Sequence, residues 1–187
     1  MKRWLRRNSP ELSYVACMAA VMLGYVRYDP YQIDGDALSY MDIAGSLTHW
    51  RWHEAINGLW NPGYPAVLAI AKYLTRPGRM QELQFFYWAN FVIFIASIGC
   101  AYFFVRGILS FRARAIAATQ QGATWALPDS LVYLASFAIV FLNWLNEFSP
   151  GKVRVDGLFA SLLLLAFGSV VRAIDTESIL AYFLNPA

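Results

Sequence analysis

Two acidic stretches carry residue types that could do chemistry. Residues 34–47 read DGDALSYMDIAGSL, with Asp34 and Asp36 on either side of Gly35, a residue that permits a turn. Residues 143–156 gather Asn143, Asn146, Glu147, Lys152, Arg154 and Asp156, and Asp156 directly precedes the apolar run GLFASLLLLAFG. A carboxylate can draw the proton from a hydroxyl, and a helix amino end with Lys and Arg beside it can hold a phosphate. The plainer role for Asp36 and Asp156 is to cap the helices that begin there, satisfying a free backbone N–H and meeting the positive dipole end. The residue pattern leaves both roles open. His49 and His53 lie one helical turn apart beside Glu54, a spacing that could ligate a metal, but no third ligand is placed to complete the set.

The elements that must position these residues follow from composition. Of 187 residues, 58% are hydrophobic, 17% aromatic and only 14% charged, too little polar surface to wrap the apolar content of a soluble domain. The net charge of +3 comes from short Arg/Lys clusters without a broad basic face, which argues against nucleic acid as a partner and for a lipid bilayer. Cys17 and Cys100 both fall in apolar runs, so no disulfide framework is expected.

Uncharged runs predict an all-α, polytopic transmembrane protein in the cell (cytoplasmic) membrane, a single module over residues 1–187. Its spans are expected at about 10–28, 85–105, 126–145 and 157–172. Lys2, Arg3, Arg6 and Arg7 precede the first span, and Arg106, Arg112 and Arg114 follow the second, with no acid among the latter; the positive-inside rule puts both groups on the cytoplasmic side. Residues 29–84 then form an extracytoplasmic loop. Its apolar run 62–74 is too short to cross, reaching about two thirds of a ~30 Å hydrocarbon layer. It is expected as one of two amphipathic juxtamembrane helices, at about 62–75, with the other at about 37–48. There Ala37, Tyr40, Met41, Ala44 and Leu47 recur at helical spacing. Trp50, Trp52, Trp60 and Tyr64 suit anchoring at the membrane surface, and Pro62 and Pro65 the start of the second surface helix. Residues 115–125 read as a cytoplasmic connector. The apolar patch 179–184 suggests one part of a longer protein.

With these positions in view, the chain resembles the GT-C superfamily of polytopic glycosyltransferases, particularly bacterial relatives of protein mannosyltransferases and aminoarabinose transferases. The resemblance lies in the signal anchor, the Asp-x-x-x-Tyr-x-x-x-Ala pattern of Asp36, Tyr40 and Ala44, and the stretch Trp60-Asn61-Pro62-Gly63-Tyr64-Pro65. Asp156-Gly157-Leu158-Phe159, opening an outer apolar helix, completes it over about 150 residues. It implies a sugar donor carried on a polyprenyl phosphate and a lipid, glycan or protein acceptor. It implies Asp36 as catalytic base, with Asp34 as the alternative register, and Asp156 as a second outer carboxylate. Lys152 and Arg154 would bind the phosphate, and Tyr40 belongs to the substrate-binding set. The acidic residue that relatives carry directly after the aspartate is Ala37 here, so no metal ligand is assigned and a divalent metal is left open as cofactor. Family members also have more spans, and this chain would supply the amino-terminal part of their module. The alternative is a non-enzymatic integral membrane subunit whose Trp-rich interfacial loop docks a partner, with the aspartates as caps. A transporter ranks lowest, because the span interiors carry no charge apart from Asp129 near one end.

Overall fold

A computed structural model describes residues 9–28, 35–56, 58–119, 127–146 and 155–174. Among them every regular element is helical. In chain order these are α1 (Ser9–Tyr28), α2 (Gly35–Thr48), the single turn α3 (Trp52–Ala55), α4 (Gly63–Thr75), a 3-10 turn at Arg79–Gln81, α5 (Glu82–Thr119), α6 (Asp129–Asn146) and α7 (Asp156–Ile174).

Local sequence explains the shorter boundaries. The Asn61 side chain accepts a hydrogen bond from Gly63 N at 2.9 Å, and Pro62, with φ −75°, leads into the first turn of α4 without needing the N–H it lacks. The helix ends where Arg76 turns left-handed (φ 48°) and returns its N–H to Lys72 O, with Pro77 blocking any continuation. α5 departs from the expected span. It runs 38 residues, about 57 Å, and carries Arg106, Arg112 and Arg114 on the same continuous helix through residues expected to begin a connector. Loss of apolar character at Arg106 marks a change of surroundings and not a helix end, because Arg and Ala are both strong helix formers.

Side-chain contacts set the direction of each helix. Gln84, in the first turn of α5, donates to Val26 O near the end of α1 at 2.9 Å, so α1 and α5 run in opposite senses. Arg112 pairs with Asp129 at 2.6 Å at the start of α6, and Phe94 meets Trp144 near its end, so α6 runs back against α5. α7 then follows α5 in parallel. Ser97 meets Ser161 at 2.6 Å, Gly168 lies on Phe103 and Phe104, and Gly107 faces Val171 and Arg172. The four long helices alternate in direction. α1 contributes the buried stripe Met18, Met22 and Val26 at four-residue spacing, and α5 contributes Phe86, Tyr87, Phe94, Ile98 and Ala101.

Two of these helices, α5 and α7, are long and apolar enough to cross a membrane; α6 is apolar over the shorter Asp129–Leu145. Between α1 and α5 the chain packs α4 against the early turns of α5, with α2 on α4 and α3 on α2. Their buried residues Ala37, Tyr40, Ala44, Tyr64 and Leu68 share one core with those of the long helices.

Candidate functional site

Asp36 is the second residue of α2 and Asp156 the first of α7, and both are exposed. Both aspartates expected as N-caps thus stand inside the first helical turn, where a carboxylate still meets the positive end of the dipole. Asp34, Lys152 and Arg154 lie outside the described residues.

One turn into α2, Tyr40 packs edge-on against Trp60 (5.3 Å between centroids, 71°) and against Tyr64 (5.4 Å, 89°). At 6% exposure Tyr40 lies within the aromatic core on which α2 and α4 close, so it supports the site from beneath. Tyr64 in turn donates its hydroxyl to Asn90 Oδ1 on α5 at 2.7 Å, both residues fully buried. Burial pushes the Tyr64 phenol far above its ordinary range, the hydrogen bond to Asn90 offsets only part of that, and Tyr40 adds to the rise. The phenol therefore stays protonated and serves as a donor.

A chain of contacts links each of the two acidic helix starts to α5. Asp36 is one turn before Tyr40, and Tyr40 reaches Asn90 through Tyr64. One turn further along α5, Phe94 meets Trp144, whose ring lies so close to Gly157 that an added Cβ would fall 2.5 Å away. Gly157 follows Asp156 directly. The two acidic helix starts thus connect to neighbouring turns of α5, that of α2 through Tyr40, Tyr64 and Asn90 and that of α7 through Gly157, Trp144 and Phe94.

Two turns beyond Tyr64 on α4, Lys72 forms a part-buried ion pair with Glu82 at the start of α5. Beside it an apolar groove of about 700 Å³ runs between α4 and α5, lined by Val67, Ala71, Phe85, Trp88, Val92 and Ile93 among others.

His49 and His53, the metal candidates, do not converge with further ligands. His49 Nδ1 lies 2.8 Å from Gly45 O, and among the described residues no group of three or more His, Cys, Asp or Glu side chains could hold a metal ion. Asn90 escaped the reading of the sequence, although a lone carboxamide within the apolar run 85–105 signals a buried hydrogen-bond partner. No family model matches the chain, and no curated protein or solved structure matches it either.

Proposed function

We propose that the protein is a multi-pass membrane glycosyltransferase of GT-C type, or its amino-terminal portion, acting on the extracytoplasmic side. In this reading α1, α5, α6 and α7 cross the cytoplasmic membrane in alternation, and α2–α4 form the outer loop. The observation that carries it is that both acidic helix starts connect to neighbouring turns of α5, one through Tyr40, Tyr64 and Asn90 and the other through Gly157, Trp144 and Phe94. The apolar groove between α4 and α5 supports a lipid-borne donor, because it offers a polyprenyl chain an apolar lining beside that loop.

The chemistry is a single displacement. The Asp36 carboxylate takes the proton of an acceptor hydroxyl as its oxygen bonds to the anomeric carbon. The bond from that carbon to the phosphate oxygen breaks, and its electron pair leaves with the polyprenyl phosphate, so configuration inverts. Lys152 and Arg154 would offset the charge on the leaving phosphate, with Asp156 orienting the substrate; fixed charges of this kind usually contribute the largest share of rate. Exposure of Asp36 suits a base that must meet an incoming acceptor.

Asp36→Asn keeps the shape and removes the base. Transfer from a polyprenyl-phosphate sugar to acceptor should fall at least 10²-fold while the protein still inserts and folds. Undiminished transfer by that variant would remove Asp36 from the mechanism, and a wild-type chain inert towards every lipid-linked donor would favour the non-enzymatic docking subunit.

A further inference from the structure

At the far end of α2 from Asp36, the backbone turns sharply and presents two indoles to solvent. Trp50 holds a left-handed conformation, φ 61°, which a glycine would adopt freely and a tryptophan adopts at a cost. The turn is pinned by Trp50 N bonding Leu47 O at 3.0 Å and Arg51 N bonding Ser46 O at 2.9 Å. Trp50 and Trp52 meet edge to face at 6.0 Å yet stay 71% and 50% exposed, so the strained backbone does not serve to bury them.

Beside them the Glu54 carboxylate is held on both sides. Ser46, itself buried, donates to Oε2 at 3.0 Å, and Arg51 donates to Oε1 at 3.2 Å and lies 3.1 Å from Oε2. An ion pair this exposed adds little to folding. Its effect is to fix a carboxylate and a guanidinium in place next to two aromatic faces.

A lipid chain would use the indoles and leave the fixed charges idle, and a simple ion would do the reverse. A sugar ring uses both, because its C–H face packs against the electron-rich indole face while its hydroxyls donate to carboxylate and accept from guanidinium. We infer that Trp50, Trp52, Arg51 and Glu54 form a saccharide subsite. Resting on the transferase reading, the subsite makes the acceptor a glycan chain. α2 spans 14 residues, about 20 Å, so the subsite holds units remote from the hydroxyl that reacts at Asp36. Such remote contacts are what an enzyme uses to position a chain for reaction.

The test reads binding directly, without turnover. Saturation-transfer NMR is recorded on cellotetraose, chitotetraose and isomaltotetraose with the full chain in phosphatidylethanolamine/phosphatidylglycerol nanodiscs. At least one tetrasaccharide should receive saturation and its monosaccharide at least tenfold less. Trp50→Gly, which also relieves the backbone strain, and Trp52→Ala should each reduce the signal at least tenfold with an unchanged or raised unfolding temperature for Trp50→Gly; Met80→Ala should leave it intact. No transfer to any of the three, or transfer that survives both tryptophan variants, overturns the subsite. So does quenching by brominated phospholipids that disappears in those variants, which would seat the indoles in lipid. Loss of sugar transfer in Asp36→Asn reports on the catalytic assignment and loss of the saccharide signal in the tryptophan variants on the subsite, so the two assignments fail separately.

Discussion

Tyr64 and Asn90 join α4 to α5 through a buried hydrogen bond. Tyr64→Phe keeps the ring against Tyr40 and deletes the donor, so the cost isolates that bond. The variant should lose about 1–2 kcal/mol in thermal unfolding of the detergent-solubilised protein. Alkaline pH offers a second readout. The unfolded phenol ionises near its ordinary value of about 10, while burial holds the folded one neutral well beyond it. Above about pH 10 the unfolded state therefore carries fewer protons than the folded state, and stability falls as pH rises. Tyr64→Phe should be less stable at pH 8 but should flatten this alkaline decline. An equally steep decline in the variant would mean that another group controls it. Neither partner's role could be read locally, since the bond joins positions 26 residues apart.

α5 and α7 are joined by a tight seam in which size matters more than hydrophobicity. Ser97 and Ser161 meet at 2.6 Å, each within reach of the carbonyl four residues back, so one hydroxyl donates to its partner and the other to its own helix, which leaves neither idle in an apolar setting. Further along, Gly168 lets the helices close until an added Cβ would lie 2.7 Å from the Phe103 ring and 3.1 Å from the Phe104 Cα. Arg172 finishes the seam with its guanidinium 4.0 Å from the Phe103 ring centroid. Helix propensity alone would reward Gly168→Ala by about 1 kcal/mol. The overlap with the Phe103 ring, with the Phe104 backbone close beside it, opposes this gain, so the variant should instead be destabilised by about 1–3 kcal/mol, and Gly168→Leu by more. Stabilisation by alanine, read as a higher unfolding temperature in the same detergent, would show that the seam is looser than drawn. The sequence made the helices themselves legible, because apolar runs, Asn61-Pro62 and the Arg76-Pro77 stop all act locally. The length of α5 was hidden, since hydropathy reports what surrounds a helix and is blind to where its hydrogen bonding ends. The two aspartates near helix starts were legible, but their connection to neighbouring turns of α5 runs through Tyr64 and Asn90 and through Phe94, Trp144 and Gly157 meeting across three helices, which no spacing encodes.

For the whole molecule, the decisive property is that α1, α5, α6 and α7 alternate in direction. Alternation puts the starts of α2 and α7 and the Trp50–Trp52 turn towards one end, and the last turns of α5 towards the other. On the proposed reading a bilayer separates these ends, with Arg106, Arg112 and Arg114 on the cytoplasmic side. A single cysteine at Leu59 or at Ala117, each in a background with Cys17 and Cys100 replaced by alanine, samples the two ends; both positions are exposed. A membrane-impermeant maleimide added to intact cells, or to bacterial cells with a permeabilised outer membrane, should label position 59 within minutes and position 117 only after the cytoplasmic membrane is breached. Labelling of both from outside would mean that the bundle does not separate two compartments. Labelling of 117 alone would invert the protein and expose both aspartates to the cytoplasm. Either pattern would take away the compartment in which a lipid-linked sugar and an outer acceptor could meet, whereas the expected one leaves Asp36 and Asp156 open to both.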